Sequence, residues 1–286
     1  MTKSTGRIVG VLHPGMMGIS VANALVTAAH KVCWASQNRS SATLRRANDL
    51  NLEDCYTLET LGQSCHVIFS VCPPAEAISL AKATAATGFT GTYVDCNAVS
   101  PITCKAVSEI MTAAGVAYVD GGIIGPPAWT EGTTRLYLSG TQADAIAKLF
   151  TGSLMDTVNL GDSTDAASAM KMAYAAWTKG SAALLLSVYA LAEHHGLGES
   201  LINEWNLSQP GLEKKHHDTA LGNAPKAWRF VGEMQQIAAT LSDAGQHPGA
   251  FDSAANIYEA LSAFKSADPD GITRQAVVAS ILNAHK

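Results

Sequence analysis

Between Asp165 and Glu193 the sequence carries only two charges, Lys171 and Lys179, set among Ala, Ser, Met, Leu and aromatic residues in the run ASAMKMAYAAWTKGSAALLL. An ammonium in such surroundings either snorkels to water along its own methylenes or does chemistry. Desolvation draws a lysine pKa toward neutrality, where the group can protonate a carbonyl oxygen as a hydride arrives, or take the alcohol proton in reverse. Tyr174 and Thr178 fall at i+3 and i+7 from Lys171 and share its helical face, a polar wall to which Trp177 adds an aromatic surface; an aromatic at helical spacing also reads as core. Lys179, two turns on, reads as structural.

A second constellation lies at the start of the chain. The stretch GVLHPGMMG, residues 10–18, follows a short apolar strand and leads into a helix, so free backbone N–H groups and the positive helix end aim at whatever sits above the turn. That geometry suits a pyrophosphate. Gly15 would let backbone approach phosphate and Gly18 would let helix and strand pack closely, whereas His13 and Pro14 depart from GxGxxG at the tight turn, and His13 reads as a turn residue rather than a catalyst. The nucleotide is expected against Leu12, His13, Pro14, Gly15, Met16 and Met17, and against Val71, Cys72 and Pro73 after a later strand. Choice between the two nicotinamide nucleotides falls about 20 residues after the turn, where an acid would hold a ribose 2′-hydroxyl. From residue 32 to 48 there is no Asp or Glu, but Ser36, Arg39, Ser40 and Ser41 offer hydroxyls and a guanidinium suited to a 2′-phosphate. The expectation is NADP(H) in preference to NAD(H), with Arg45 and Arg46 solvating a helix face.

These residues need elements to hold them. Residues 7–12, 32–35, 66–71, 92–95 and 117–120 read as strands, alternating with helical stretches at 16–29, 74–86 and 101–114, the last two opening on proline near the first turn. Residues 133–140 and 155–161 read as added edge strands. This alternation predicts an α/β fold, a doubly wound parallel sheet over residues 1–160. Beyond residue 161 the strand signal stops and helices follow, broken at Gly196, SQPG, NAP and HPG; a long helix from about residue 163 to 195 joins the parts.

Composition narrows the function classes. Of 286 residues 47% are hydrophobic and 15% charged, with a formal net charge of −5, which excludes disorder and gives no electrostatic footprint for nucleic acid. All six cysteines fall within the first 104 residues without CxxC or zinc-like spacing, as expected of reduced thiols in a cytoplasmic protein. The apolar run around residues 166–192 is interrupted by its lysines and too short to span a bilayer, and no signal-peptide core is visible. EHHG and KKHHD hold adjacent histidines, but helix neighbours point about 100° apart, so no metal is expected. Arg229 and Glu233, at i and i+4, read as a helix-face pair.

Taken together, the motifs resemble the β-hydroxyacid dehydrogenase family, which includes 6-phosphogluconate and 3-hydroxyisobutyrate dehydrogenases. The family's GLGxMG corresponds to HPGMMG, its DxSTxSP to DCNAVSP (95–101), its DAPVSGG to DGGIIGP (120–126), and the lysine of GxGxxxKxxNN falls on Lys171. HPGMMG, DCNAVSP, DGGIIGPP and RFVGEMQQIA (229–238) resemble more closely a branch whose C-terminal domain, like that of phosphogluconate dehydrogenase, has a poorly defined function. The resemblance implies a Rossmann domain, an all-helical 6-phosphogluconate dehydrogenase-like domain over residues 161–286, hydride transfer to a nicotinamide, and a homodimer in which helical domains complete one another's clefts. Asn97 and Ile124 stand where the family has Ser, and Tyr174 where it has Asn, which suggests a roomier or less polar substrate.

The expected function is therefore an NADPH-dependent reductase or dehydrogenase interconverting a β-hydroxy acid, or related alcohol, with its carbonyl compound. Lys171 is the expected general acid/base, and Asn97 the group that orients the carbonyl or the carboxamide, although a loop-capping amide would look the same. Ile124, Gly125, Tyr174, Trp177 and Thr178 are expected at the substrate, Gly125 by letting a carboxylate or ring approach the backbone. The alternatives are an imine reductase of the same architecture, in which relatives commonly replace the lysine by Asp or Tyr, and a nucleotide sensor without turnover.

Overall fold

The computed structural model describes residues 7–284. Its first part is an eight-stranded sheet in the order β3-β2-β1-β4-β5-β6-β7-β8. The strands are β1 (Ile8–Val11), β2 (Lys31–Trp34), β3 (Glu53–Asp54), β4 (Val67–Ser70), β5 (Thr92–Asp95), β6 (Ala117–Ile124), β7 (Arg135–Ser139) and β8 (Asp156–Asn159). All neighbours run parallel except β6 and β7. That is the doubly wound Rossmann order with an added β7–β8 wing. Both faces are covered, so successive residues of one strand enter different cores: Val9 and Val11 pack with α1 (Gly18–Thr27) and α2 (Ser41–Asp49), while Ile8 and, just past the strand, Leu12 pack with Ile68 and Tyr93 on the other face. Helices α3 (Leu58–Ser64), α4 (Ala77–Ala86) and α5 (Pro101–Ala113) lie on that second face, and the short α6 (Ala143–Ala147) sits in the wing.

Three expectations about elements change. The two-residue strand β3 was invisible to periodicity because both of its residues are acidic and exposed. β6 runs on to Ile124, so Gly121 to Ile124 are strand rather than loop, held by antiparallel pairing to β7. β7, expected at an edge, is interior, with β8 outside it.

Helix α7 (Ala166–Ala175) continues through a π-helical turn, Ala176–Gly180, into α8 (Ser181–His194). The compact units are Met1–Met172 and Ala173–Lys286, so the division falls inside α7 rather than near residue 160. The reason is that the first turns of α7 are fastened to the sheet, as described below. The second unit is helical: α8, α9 (Gly198–Ser208), α10 (Leu212–Asn223), α11 (Ala227–Asp243), α12 (Gly249–Ala260) and α13 (Arg274–Asn283). Four of its breaks fall at the expected Gly and Pro positions, with Gly211 at φ +90 before α10, and a further break, between α12 and α13, was not expected from the sequence. Inside it, Lys179 pairs with Glu233 and lies 4.5 Å from the centre of the Phe230 ring, and the Tyr258 hydroxyl donates to the Lys179 carbonyl at 2.7 Å. Glu233 thus serves a lysine of the π turn and not Arg229, whose guanidinium lies over Trp228 instead. His216 is buried against Tyr189 and Trp205, and burial pushes its pKa down to about 4, so it is a neutral core group. Among the described residues no helix is long and apolar enough to cross a membrane.

Candidate active site

The turn after β1 is built around its last glycine. A Cβ on Gly18 would run into the His13 carbonyl oxygen, so only glycine lets α1 start against the end of the strand. Gly15 has open space at its Cβ position, and its N–H donates to the His13 carbonyl at 2.8 Å. Helix α1 has no side-chain cap and no acid in its first turn, so its positive end is left for an anion. Leu12 is buried in the core of one sheet face and Met17 packs against the core of the other, which makes these two supports of the turn, whereas Met16 is 50% exposed. Arg46, expected to be merely solvated, donates from Nε to the Pro14 carbonyl at 3.1 Å and so clasps the turn from α2.

Across the loop after β2, His13 Nδ1 and Arg39 Nε are buried without a hydrogen-bond partner among the described residues. Burial, and next the Arg39 charge, push His13 down to about 4, so its ring is neutral at pH 7. Two orphaned polar atoms beside an open helix N-terminus are the donor set that a phosphorylated nucleotide would satisfy, so the residues present fit the group. Ser40 caps α2, its Oγ accepting from Thr43 N at 3.3 Å. An acid does reach this region through β3: Asp54 Oδ1 accepts from Ser36 N at 3.2 Å and Tyr56 N at 2.8 Å, which commits that oxygen to holding the loop. No local pattern could have shown it, because Asp54 is brought there by the β2–β3 register.

Asn97 closes the other side. Its Oδ1 accepts from Cys72 N at 2.6 Å and its Nδ2 donates to Ser70 Oγ at 3.0 Å, with the residue 2% exposed. The side chain therefore ties the end of β5 to the loop after β4, and so fixes Val71, Cys72 and the exposed Pro73. Burial pushes the Cys72 thiol up to about 12, leaving it neutral.

The motif DGGIIGP positions Lys171. The buried Asp120 accepts from Ser168 N (2.7 Å), Ser168 Oγ (2.6 Å) and Ser139 Oγ (3.2 Å), while Ala167 N donates to Ser139 Oγ at 3.0 Å. A carboxylate thus caps the first turn of α7, where the helix dipole favours it. Gly122 makes room: a Cβ there would lie 2.6 Å from the Ala167 carbonyl oxygen and 3.2 Å from Lys171 Cβ. One turn beyond Ser168, Lys171 Nζ donates to the Ile123 carbonyl at 2.7 Å, at the carboxyl end of β6, the sheet edge where doubly wound folds bind ligands. Gly125 has φ +127, and a Cβ would strike the backbone of Thr133, so the β6–β7 hairpin itself demands glycine. Ile124 is 2% exposed. Asp120, Ser139 and Ser168 were not singled out from sequence, the acid inside a strand run being the one available signal, and Arg46 was read only as solvating a helix face. In the second unit Tyr174 is 43% and Trp177 71% exposed, and Thr178 Oγ1 bonds back to the Tyr174 carbonyl at 3.0 Å.

Residues 8–151 match the family described as the NAD binding domain of 6-phosphogluconate dehydrogenase, and residues 192–261 a domain of unknown function. No curated protein matches the sequence. Among solved structures, 3-hydroxyisobutyrate dehydrogenase from Mycobacterium tuberculosis with L-serine aligns with TM-score 0.71 and 16% identity, covering 97% of this chain and 99% of that one. A conserved hypothetical protein from Sinorhizobium meliloti 1021 aligns with TM-score 0.67 and 21% identity over 99% and 98%. An imine reductase variant from Myxococcus stipitatus, in complex with NAD+, aligns with TM-score 0.57 and 16% identity over 98% and 100%. With about half its length in the matched nucleotide-binding family, the chain belongs to the β-hydroxyacid dehydrogenases and is an NAD(P)-dependent oxidoreductase.

Proposed function

We propose that the protein is an NADPH-dependent reductase or dehydrogenase that interconverts a β-hydroxy acid, or a related alcohol, with its carbonyl compound. The observation that carries this reading is Lys171, whose helix is fastened to β6 by Asp120 and whose ammonium is held at the carboxyl end of that strand by the Ile123 carbonyl. Lys171 would hold a proton for the substrate oxygen in reduction and accept it in oxidation. When bound, the nicotinamide supplies or accepts the hydride. Arg39, half-buried with its Nε unpaired among the described residues, would hold a 2′-phosphate beside His13 and Ser36; Gly15, Met16 and the α1 terminus would hold the pyrophosphate. Asn97 is the positioning amide for the Cys72 loop rather than a group that touches the reacting carbon, because both of its polar atoms already serve the protein. Gly125 and Ile124 shape the backbone beside Lys171, and Tyr174, Trp177 and Thr178 are the substrate-facing candidates of the second unit, supported by the exposure of Tyr174 and Trp177. A homodimer is supported by Trp177, Leu184, Val188 and Leu191, an exposed apolar stripe at near-heptad spacing on the π turn and α8.

A second reading, imine reduction, draws on the fold likeness and on Tyr174, an exposed phenol available as a proton donor. Oxidation of NADPH over a panel of carbonyl and imine compounds separates the two. In that assay Lys171→Ala is expected to lower turnover about 10²- to 10⁴-fold with NADPH affinity nearly unchanged; full activity would remove the lysine from the mechanism. Arg39→Gln is expected to weaken NADPH by about 10- to 100-fold, the loss of one charged hydrogen bond, with NADH affected less than about twofold. Equal losses for both nucleotides would refute the preference.

A further inference from the structure

Asp95 and Asp120 are register partners on the parallel pair β5–β6, and each is 1% exposed. Partners in register project to the same face, so two carboxyl groups stand side by side in the protein interior. Their hydrogen bonds differ. Asp120 receives three donors from Ser168 and Ser139, whereas Asp95 receives Asn97 N on Oδ1 at 3.0 Å and its Oδ2 has no partner among the described residues. A buried carboxylate short of donors is disfavoured, and more so beside a second one, so a single proton shared between the two rests on Asp95.

We propose that Asp95 is a positioning residue whose buried proton couples the loop after β4 to the helix that carries Lys171. In one direction Asp95 holds the Asn97 backbone, and the Asn97 side chain holds Cys72 N and Ser70 Oγ. In the other, Asp120 holds the first turn of α7. Loss of the proton sets two anions against each other between these anchors and strains both. The coupling to ligand rests on the reading of Val71, Cys72 and Pro73 as nucleotide contacts.

The groups facing Asp95 are Tyr93 of β5, Cys96 just after it, Cys72 of the loop after β4, Tyr118 and Asp120 of β6, and Cys104 of α5. α7 adds Ser168 on Asp120 and, one turn on, Lys171 at the Ile123 carbonyl. Burial pushes the thiols and phenols upward, so they stay neutral at pH 7. Asp95 itself is pushed up to about 7, chiefly by burial, with the Asn97 N–H opposing and the Asp120 charge adding. Asp120 is also raised by burial and is drawn back by its Ser168 and Ser139 donors.

Infrared spectra of the full chain in D2O, with NADPH fluorescence titrations from pH 6 to 9, test the proposal. A protonated carboxyl band is expected at pH 6, lost with a midpoint of about 7 and absent in Asp95→Asn. NADPH affinity of the wild type, measured relative to Asp95→Asn, is expected to fall about tenfold across the range, the equivalent of about one pKa unit of coupling. By reciprocity, bound NADPH raises the midpoint of the wild-type band by about one unit, a reading that needs no variant should Asp95→Asn fail to fold. A band that survives Asp95→Asn, a midpoint unmoved by NADPH, or an identical affinity profile in both proteins would overturn the coupling. Absence of NADPH binding at every pH would instead overturn the nucleotide reading and the coupling with it.

Discussion

Two helices begin against the sheet across a glycine, and their N-termini are used in opposite ways. α1 crosses at Gly18, with neither a side-chain cap nor an acid in its first turn. α7 crosses at Gly122, and its first turn is closed by Asp120 and Ser139. Unsatisfied amides and a positive dipole end call for an anion in both places. At α1 that anion is left to be supplied by a ligand, beside the orphaned atoms of His13 and Arg39. At α7 the protein supplies it, and the reward is a fixed lysine one turn further on. An open terminus binds; a closed one positions.

The comparison can be broken by filling each glycine. Gly18→Ala is expected to be the most damaging, because the new methyl meets a backbone carbonyl: a loss of about 3 kcal/mol in calorimetry, with NADPH binding abolished. Gly122→Ala drives α7 away from β6 for about 2 kcal/mol, yet should retain NADPH binding, with the dissociation constant changed by no more than about tenfold, the limit of the Asp95 coupling. If Gly122→Ala abolished NADPH binding instead, the two termini would not be separate devices. The mildest change, Ser139→Ala, removes the hydroxyl shared by Ala167 N and Asp120; a loss of about 1–2 kcal/mol is expected, with nucleotide affinity again changed by no more than the Asp95 coupling of about tenfold. A neutral outcome there would show that Ser168 alone suffices to hold the carboxylate.

Much of the first helix device was legible in sequence. A strand, a Gly-containing turn and a helix are local, and Gly15 and Gly18 have spacing that means something within six residues. Lys171 was legible because charge is rare in its surroundings, and the resemblance gave it a role. Arg46 was misread, since its partner, the Pro14 carbonyl, is 32 positions away and belongs to the turn rather than to the helix. Glu233 was assigned to Arg229 by the i+4 rule, but Lys179 is nearer in the folded helices and its partly buried ammonium gains more from a carboxylate. The absence of an acid after β2 was true of the segment and incomplete for the site, because parallel pairing brings Asp54 alongside.

The sequence alone determined most of the strands and the helices that alternate with them, where glycine is needed at the nucleotide turn, and which ammonium stands in apolar company, because these depend on neighbours a few residues away. Only the tertiary structure decided that Asp120 caps α7, that Ile123 holds Lys171, and that Asp95 is left short of donors beside it. Those outcomes depend on which hydrogen-bonding groups strand register and helix packing bring within 3 Å, across separations such as the 48 residues between Asp120 and Ser168, and no local pattern encodes that distance.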